Sequence, residues 1–78
     1  MSDAYSARIV LLERQGVLSY LCDNGIEDAD AYAIACEGIG FLRDYIEDHE
    51  RTDRENKLLQ CLLKLTNTYE EEHCLYGN

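Results

Sequence analysis

Apolar residues recur along this chain with a period of about 3.6, the spacing that gathers them on one side of a helix. In the first third, Ala7, Val10, Leu11, Val17, Leu18 and Leu21 share such a side, which predicts a helix over about 3–22. Ser2 or Asp3 offers an acceptor to the free amides at its start. Asn24-Gly25 ends it, because glycine enters the left-handed region that a helix stop uses. The run Ile9-Val10-Leu11-Leu12 also fits a short strand, but Glu13-Arg14-Gln15 leads into a further helical stripe with no turn signal.

A second helix is predicted over about 28–48. Glu27, Asp28 and Asp30 crowd its start, where the helix dipole favours negative charge. Ala35, Ile39, Leu42 and Ile46 form its stripe, widened by Tyr32 and Cys36. Gly38 and Gly40 stand mid-helix, at a cost of about 1 kcal/mol each relative to alanine. That cost points to a close helix crossing or a local break.

The third helix, over about 53–72, opens with the most specific local signal in the chain. Thr52-Asp53-Arg54-Glu55 is a capping box, in which hydroxyl and carboxylate each satisfy the other residue's backbone amide. Leu58, Leu62, Leu65 and Tyr69 continue the stripe with Cys61 alongside, and Lys57, Gln60, Lys64 and Asn67 lie opposite. Residues 73–78 read as a tail. With no proline, repeat or long linker, the expectation is a single all-α domain. Short connections imply a three-helix antiparallel bundle.

Two of these helices carry a second apolar row. Ile9, Leu12, Gly16 and Tyr20 line up away from the first stripe, and Ile34, Gly38, Phe41 and Tyr45 form a comparable row on the second helix. Each row holds a glycine at its middle, where another backbone has room to approach. Contiguous exposed apolar patches mark interfaces, so the expectation is a homodimer through these eight residues. Arg14 sits within the apolar pattern and calls for a partner such as Glu37 or Asp44, or for a stem that packs while the charged head stays wet.

Charge narrows the partners. Sixteen acids against seven bases give a net charge of −9 and a pI near 4.4. A field of that sign repels nucleic acid and anionic membrane. The expected partner is therefore a protein, basic or itself nucleic-acid-binding. No apolar run approaches the ~20 residues of a membrane span. No basic-then-apolar start suggests a signal peptide, so a cytoplasmic location is expected. The four cysteines, Cys22, Cys36, Cys61 and Cys74, allow two disulfides by count. Without a secretion signal they are read as reduced thiols that act as small hydrophobes.

Candidate chemistry is thin. His73-Cys74 beside Glu70-Glu71-Glu72 has no C-x-x-C or H-x-x-x-H companion, so structural zinc is not indicated. Adjacent His73 and Cys74 point about 100° apart on a helix, which disfavours a nucleophile–base pair. Glu37-Gly38-Ile39-Gly40 lacks the rest of a phosphate loop. Arg51, Arg54 and Lys57 form a basic group, but Glu50, Asp53 and Glu55 interleave with it. No enzyme activity and no cofactor is expected.

The acids gather in three groups, at 23–30, 44–55 and 70–72. The expectation is a small acidic interaction module of phage or mobile-element type that inhibits or regulates a larger host protein. Tyr20, Phe41 and Tyr45 would anchor it, and Asp44, Glu47, Asp48 and Glu50 would steer the encounter. Two alternatives are a DNA-mimicking anti-restriction or anti-CRISPR protein acting through its acidic surface, and a small chaperone or structural adaptor.

Overall fold

The computed structural model describes residues 3–73, and every described element is helical. Four α-helices occur where three were expected: α1 (Asp3–Glu13), α2 (Gln15–Asn24), α3 (Ala29–Gly40) and α4 (Asp53–His73). A π-helical turn, Phe41–Tyr45, and a short 3-10 turn, Asp48–Glu50, join α3 to α4.

The first correction is at Arg14. The helix expected over 3–22 bends there, because Arg14 adopts φ −100° and ψ 6°. Its amide is shared between the carbonyls of Val10 and Leu11, at 3.1 and 3.2 Å, while its own carbonyl accepts from Leu18. The bend sends the two halves to different neighbours. α1 packs on the Phe41–Tyr45 turn, whereas α2 packs on α3 and α4. The Arg14 guanidinium reaches Glu37 at 2.8 Å, one of the two partners expected for it.

The second correction is at the end of α3. The helix expected to run to 48 loses its α pattern after Gly40, and Ile46 is extended at φ −115° and ψ 119°. At Gly40 the backbone stays helical, at φ −57° and ψ −47°, and the break comes only at Ile46. Gly38 marks a close approach: a Cβ there would lie 3.1 Å from Leu62 Cδ1 and 3.2 Å from Leu18 Cδ2. The break leaves helix-end carbonyls without partners. Arg51 supplies them, donating to Leu42 O at 3.0 Å and Ile46 O at 3.2 Å, to Asn56 Oδ1 at 2.8 Å, and to Asp48.

The remaining boundaries follow from local chemistry. Gly25, at φ 85°, closes α2 with its amide on Leu21 O. Asp28 caps α3 by accepting from Ala31 N at 2.8 Å. The capping box of α4 is formed in both directions, Glu55 N to Thr52 Oγ1 at 3.1 Å and Thr52 N to Glu55 Oε1 at 2.9 Å.

Leu18, Leu42, Ile46 and Leu62 are the largest fully buried side chains. On α4 the buried row is Leu59, Leu62, Thr66 and Tyr69, with Leu58 and Leu65 only half-buried, so the stripe is rotated from the expected one. Thr66 is accommodated because its hydroxyl donates to Leu63 O. Tyr32, near the start of α3, stacks on Tyr69 at 4.8 Å and donates to Glu70, so α3 and α4 run antiparallel. That hydrogen bond, first, and then one with Cys36, raise the Tyr32 phenol above its usual value.

At the other end, Arg8 grips Glu55 with two bonds, Nε to Oε2 at 2.7 Å and Nη2 to Oε1 at 2.9 Å, and also donates to Glu50 O. The Arg8 bond, followed by the Thr52 amide and the charge of Arg8, holds the Glu55 carboxyl below its ordinary value of 4.5. A folded value below the unfolded one contributes stability that is present above the unfolded value and lost as pH falls through the folded one. Glu55→Gln is therefore expected to lower the urea midpoint at pH 7, and the gap to the parent protein should narrow by pH 3. A gap that stays constant with pH would assign the loss to the cap geometry alone.

Candidate binding surfaces

The expected row on the first helix faces solvent. Ile9 is 45% exposed, Leu12 71% and Tyr20 56%, all directed away from the buried side formed by Ala7, Leu11, Leu18 and Leu21. Tyr5, 59% exposed, extends the row by a turn. A Cβ added at Gly16 would meet nothing within 4 Å, so the middle of the row is open. Among the described residues, five of the six exposed large hydrophobics lie on α1 and α2, and Tyr45 is the sixth.

The expected row on the second helix is not a matching face. Gly38 is buried against Leu18 and Leu62, and Ile34 and Phe41 are half-buried against the core. Phe41 and Tyr45, with rings 5.4 Å apart, line a small cleft with Arg14, Glu37 and Gly40. Arg14 lies on the far side of its helix from Leu12, since two residues turn the helix by about 200°. The structure thus leaves the two rows on different flanks. The physical reason is that α3 lies against α2 and α4 together, so its second row is used within the fold.

Asp44, Glu47, Asp48 and Glu50 are all exposed and lie together on the bend between α3 and α4. Asp44 pairs with Arg43 at 3.1 Å and Asp48 with Arg51, and Glu47 and Glu50 add further carboxylates beside them.

A groove of about 620 Å³ that the sequence pattern did not reveal opens between α1–α2 and the first half of α4. Leu11, Leu18 and Leu42 are its buried lining, and Leu12 and Leu58 its apolar edges. Arg8, Arg54 and Lys57 line it as well. Arg54 and Lys57 are exposed and make no ion pair among the described residues. Cys22 and Cys61 face each other at the opposite end, and burial, then the hydrogen bond with Cys61, push the Cys22 thiol up to about 12. The spacing of Leu11, Gln15, Leu18 and Cys22 on one flank was a usable signal, but nothing in the sequence announced that α4 would stand away from it.

Comparison with protein-family models, curated proteins and solved structures returns no match. Cys22, Cys36 and Cys61 are free thiols; Cys36, expected within an apolar stripe, is exposed, and Cys74 lies outside the described residues with Tyr76 and the rest of 74–78. Among the described residues, no three metal-ligating side chains gather, and no helix is long and apolar enough to cross a membrane.

Proposed function

We propose that this protein is a non-enzymatic interaction module that regulates or inhibits a larger protein by docking through the outward row of α1 and α2. On this reading α1 and α2 are one kinked arm of a three-arm bundle, and the arm presents the contact. The observation that carries it is the exposure of Ile9 and Leu12 on α1 and of Tyr20 on α2, with an open Gly16 between them in the chain. Large aromatic and aliphatic groups dominate interface energetics once buried, and a small domain gains nothing from leaving them in water. The carboxylates on the α3–α4 bend supply the complementary field that speeds encounter with a basic partner. The same row is suited to self-association, which would make the free protein a homodimer.

Gly16→Arg tests this, because the position is open and the substitution leaves the core untouched. Helical circular dichroism is expected to be retained and Tm to hold or rise, since a glycine within a helix costs about 1 kcal/mol. Self-association by sedimentation equilibrium, or capture of a partner from host extract, should weaken roughly tenfold or more, as loss of a central hot spot does. A parent protein that is monomeric at micromolar concentration removes the homodimer. Unchanged partner capture by the variant removes the row. If capture instead fails steeply with added salt and survives Gly16→Arg, the acidic bend is the contact.

A further inference from the structure

The groove between α1–α2 and α4 differs from the rest of this surface in charge and in depth. The bend at Arg14 directs α1 onto the Phe41–Tyr45 turn, while the Arg8–Glu55 pair holds its start beside the start of α4. The walls between these anchor points stay apart. Three of the chain's seven cations, Arg8, Arg54 and Lys57, border this one groove in a protein of net charge −9. The Glu55 carboxylate among them is occupied by Arg8 and by the Thr52 amide. Arg54 and Lys57, three residues apart on α4, are neighbours on one side of the helix and available to an anion. The far end is closed by Cys22 and Cys61, with Asp23 on its outer edge. Burial, first, and then the hydrogen bond with Cys61 raise the Cys22 thiol at this end.

We propose that the groove binds a small monoanionic amphiphile, a carboxylate or sulfonate on an aliphatic chain. Its head lies at Arg54 and Lys57, and its chain lies over Leu11, Leu18 and Leu42 toward Cys22 and Cys61. The volume falls within the range of roughly 300–1,000 Å³ typical of small-ligand sites. From Arg54 to Cys61 the wall is about 10 Å long at the rise of a helix, the length of an extended chain of about eight carbons, so a longer chain reaches past the thiols. A three-turn protein helix, about 10 Å across, would need roughly 1,200 Å³ and would sit half outside. Along this wall Arg54 and Lys57 precede Cys61, and Asp23 is the charged group beside Cys22, which matches a ligand with one anionic end.

The thiols report occupancy directly. The full chain is alkylated with N-ethylmaleimide, and each cysteine is followed by peptide mass spectrometry. Cys36, exposed on α3 and away from the groove, is the internal reference. Dodecanoate below its micelle concentration is expected to slow alkylation of Cys22 and Cys61 and to leave Cys36 unchanged. Dodecyltrimethylammonium, with the same chain and opposite charge, should need about tenfold more for equal protection. The double variant Arg54→Gln, Lys57→Gln should raise the half-protecting dodecanoate concentration about tenfold with Tm unchanged. Equal protection by both amphiphiles, no protection by either, or protection that extends to Cys36 overturns the proposal. So does protection that rises with protein concentration alone, which would seat a second copy of the chain in the groove.

Discussion

Leu62→Ala is expected to lower the unfolding free energy by about 3–5 kcal/mol, the upper range for truncating a buried leucine. Leu62 is fully buried, and its Cδ1 fills the space that a side chain at Gly38 would otherwise occupy. A cavity there is bounded by the bare backbone of Gly38 and by Leu18, so Leu18 is the side chain beside Gly38 that can relax into it. A core of this size supplies only about 3–5 kcal/mol in net terms. The variant should therefore be largely unfolded at 25 °C by circular dichroism, without denaturant. Leu65→Ala, half-buried on the same helix, should cost about 1–2 kcal/mol. Adding Gly38→Ala to Leu62→Ala should recover part of the loss, since the new methyl enters the vacated space and the helix regains about 1 kcal/mol of propensity. A loss below about 1.5 kcal/mol in the single variant would show that α2, α3 and α4 do not meet at Leu62.

Arg51→Ala is expected to be the most damaging change at a charged position, at about 2–4 kcal/mol. The guanidinium is 10% exposed and donates to two helix-end carbonyls and to Asn56. Hydrogen bonds from a charged donor contribute about 1.5–3 kcal/mol each in a protected setting, and the carbonyls it leaves behind add a desolvation cost. Its ion pair with Asp48 is a minor part, because Asp48 is 89% exposed and surface pairs contribute about 0–1 kcal/mol. Asp48→Ala should therefore shift the urea midpoint little while Arg51→Ala shifts it strongly. Equal effects would mean that Arg51 acts through the ion pair and not through the backbone. Arg43→Ala, with both partners of its pair more than half exposed, serves as the reference for a cation that can be removed without loss.

The elements whose signals were local were legible in the sequence. The capping box at Thr52 needs only four consecutive residues, and it forms as expected. The stripe Ala35, Ile39, Leu42 and Ile46 is buried at every position, because a central helix has its period enforced on both sides. Features that depend on the packing of distant segments were not legible. The bend falls at Arg14 itself and not at Gly16 two residues on, and α1 and α2 dock on different neighbours on either side of it. The π-helical turn follows Gly40, but its stability comes from Arg51, which lies outside the helix it completes. In the sequence the row on α3 is a second apolar line with a glycine at its middle, and spacing alone does not say what approaches that glycine. Its burial is decided by Leu18 and Leu62 on other helices. The groove depends on packing in the same way: the residues of α1–α2 and of α4 that line it are 29 or more positions apart in the chain, and each wall alone looks like an ordinary amphipathic face.

The direction of the helices has a mechanical consequence. Arg8 meets Glu55 near the start of α4, whereas Tyr32 meets Tyr69 and Glu70 near its end. The Arg8–Glu55 pair and His73 therefore lie toward opposite ends of α4, in a molecule whose longest dimension is 39 Å. A force applied between them runs along the helix axes and loads the contacts between α4 and its neighbours in shear. All the side chains along the seam resist together, from Leu59 to Tyr69, instead of parting one turn at a time. Tethered between two larger bodies, the domain would act as a short rigid strut and not as a zipper.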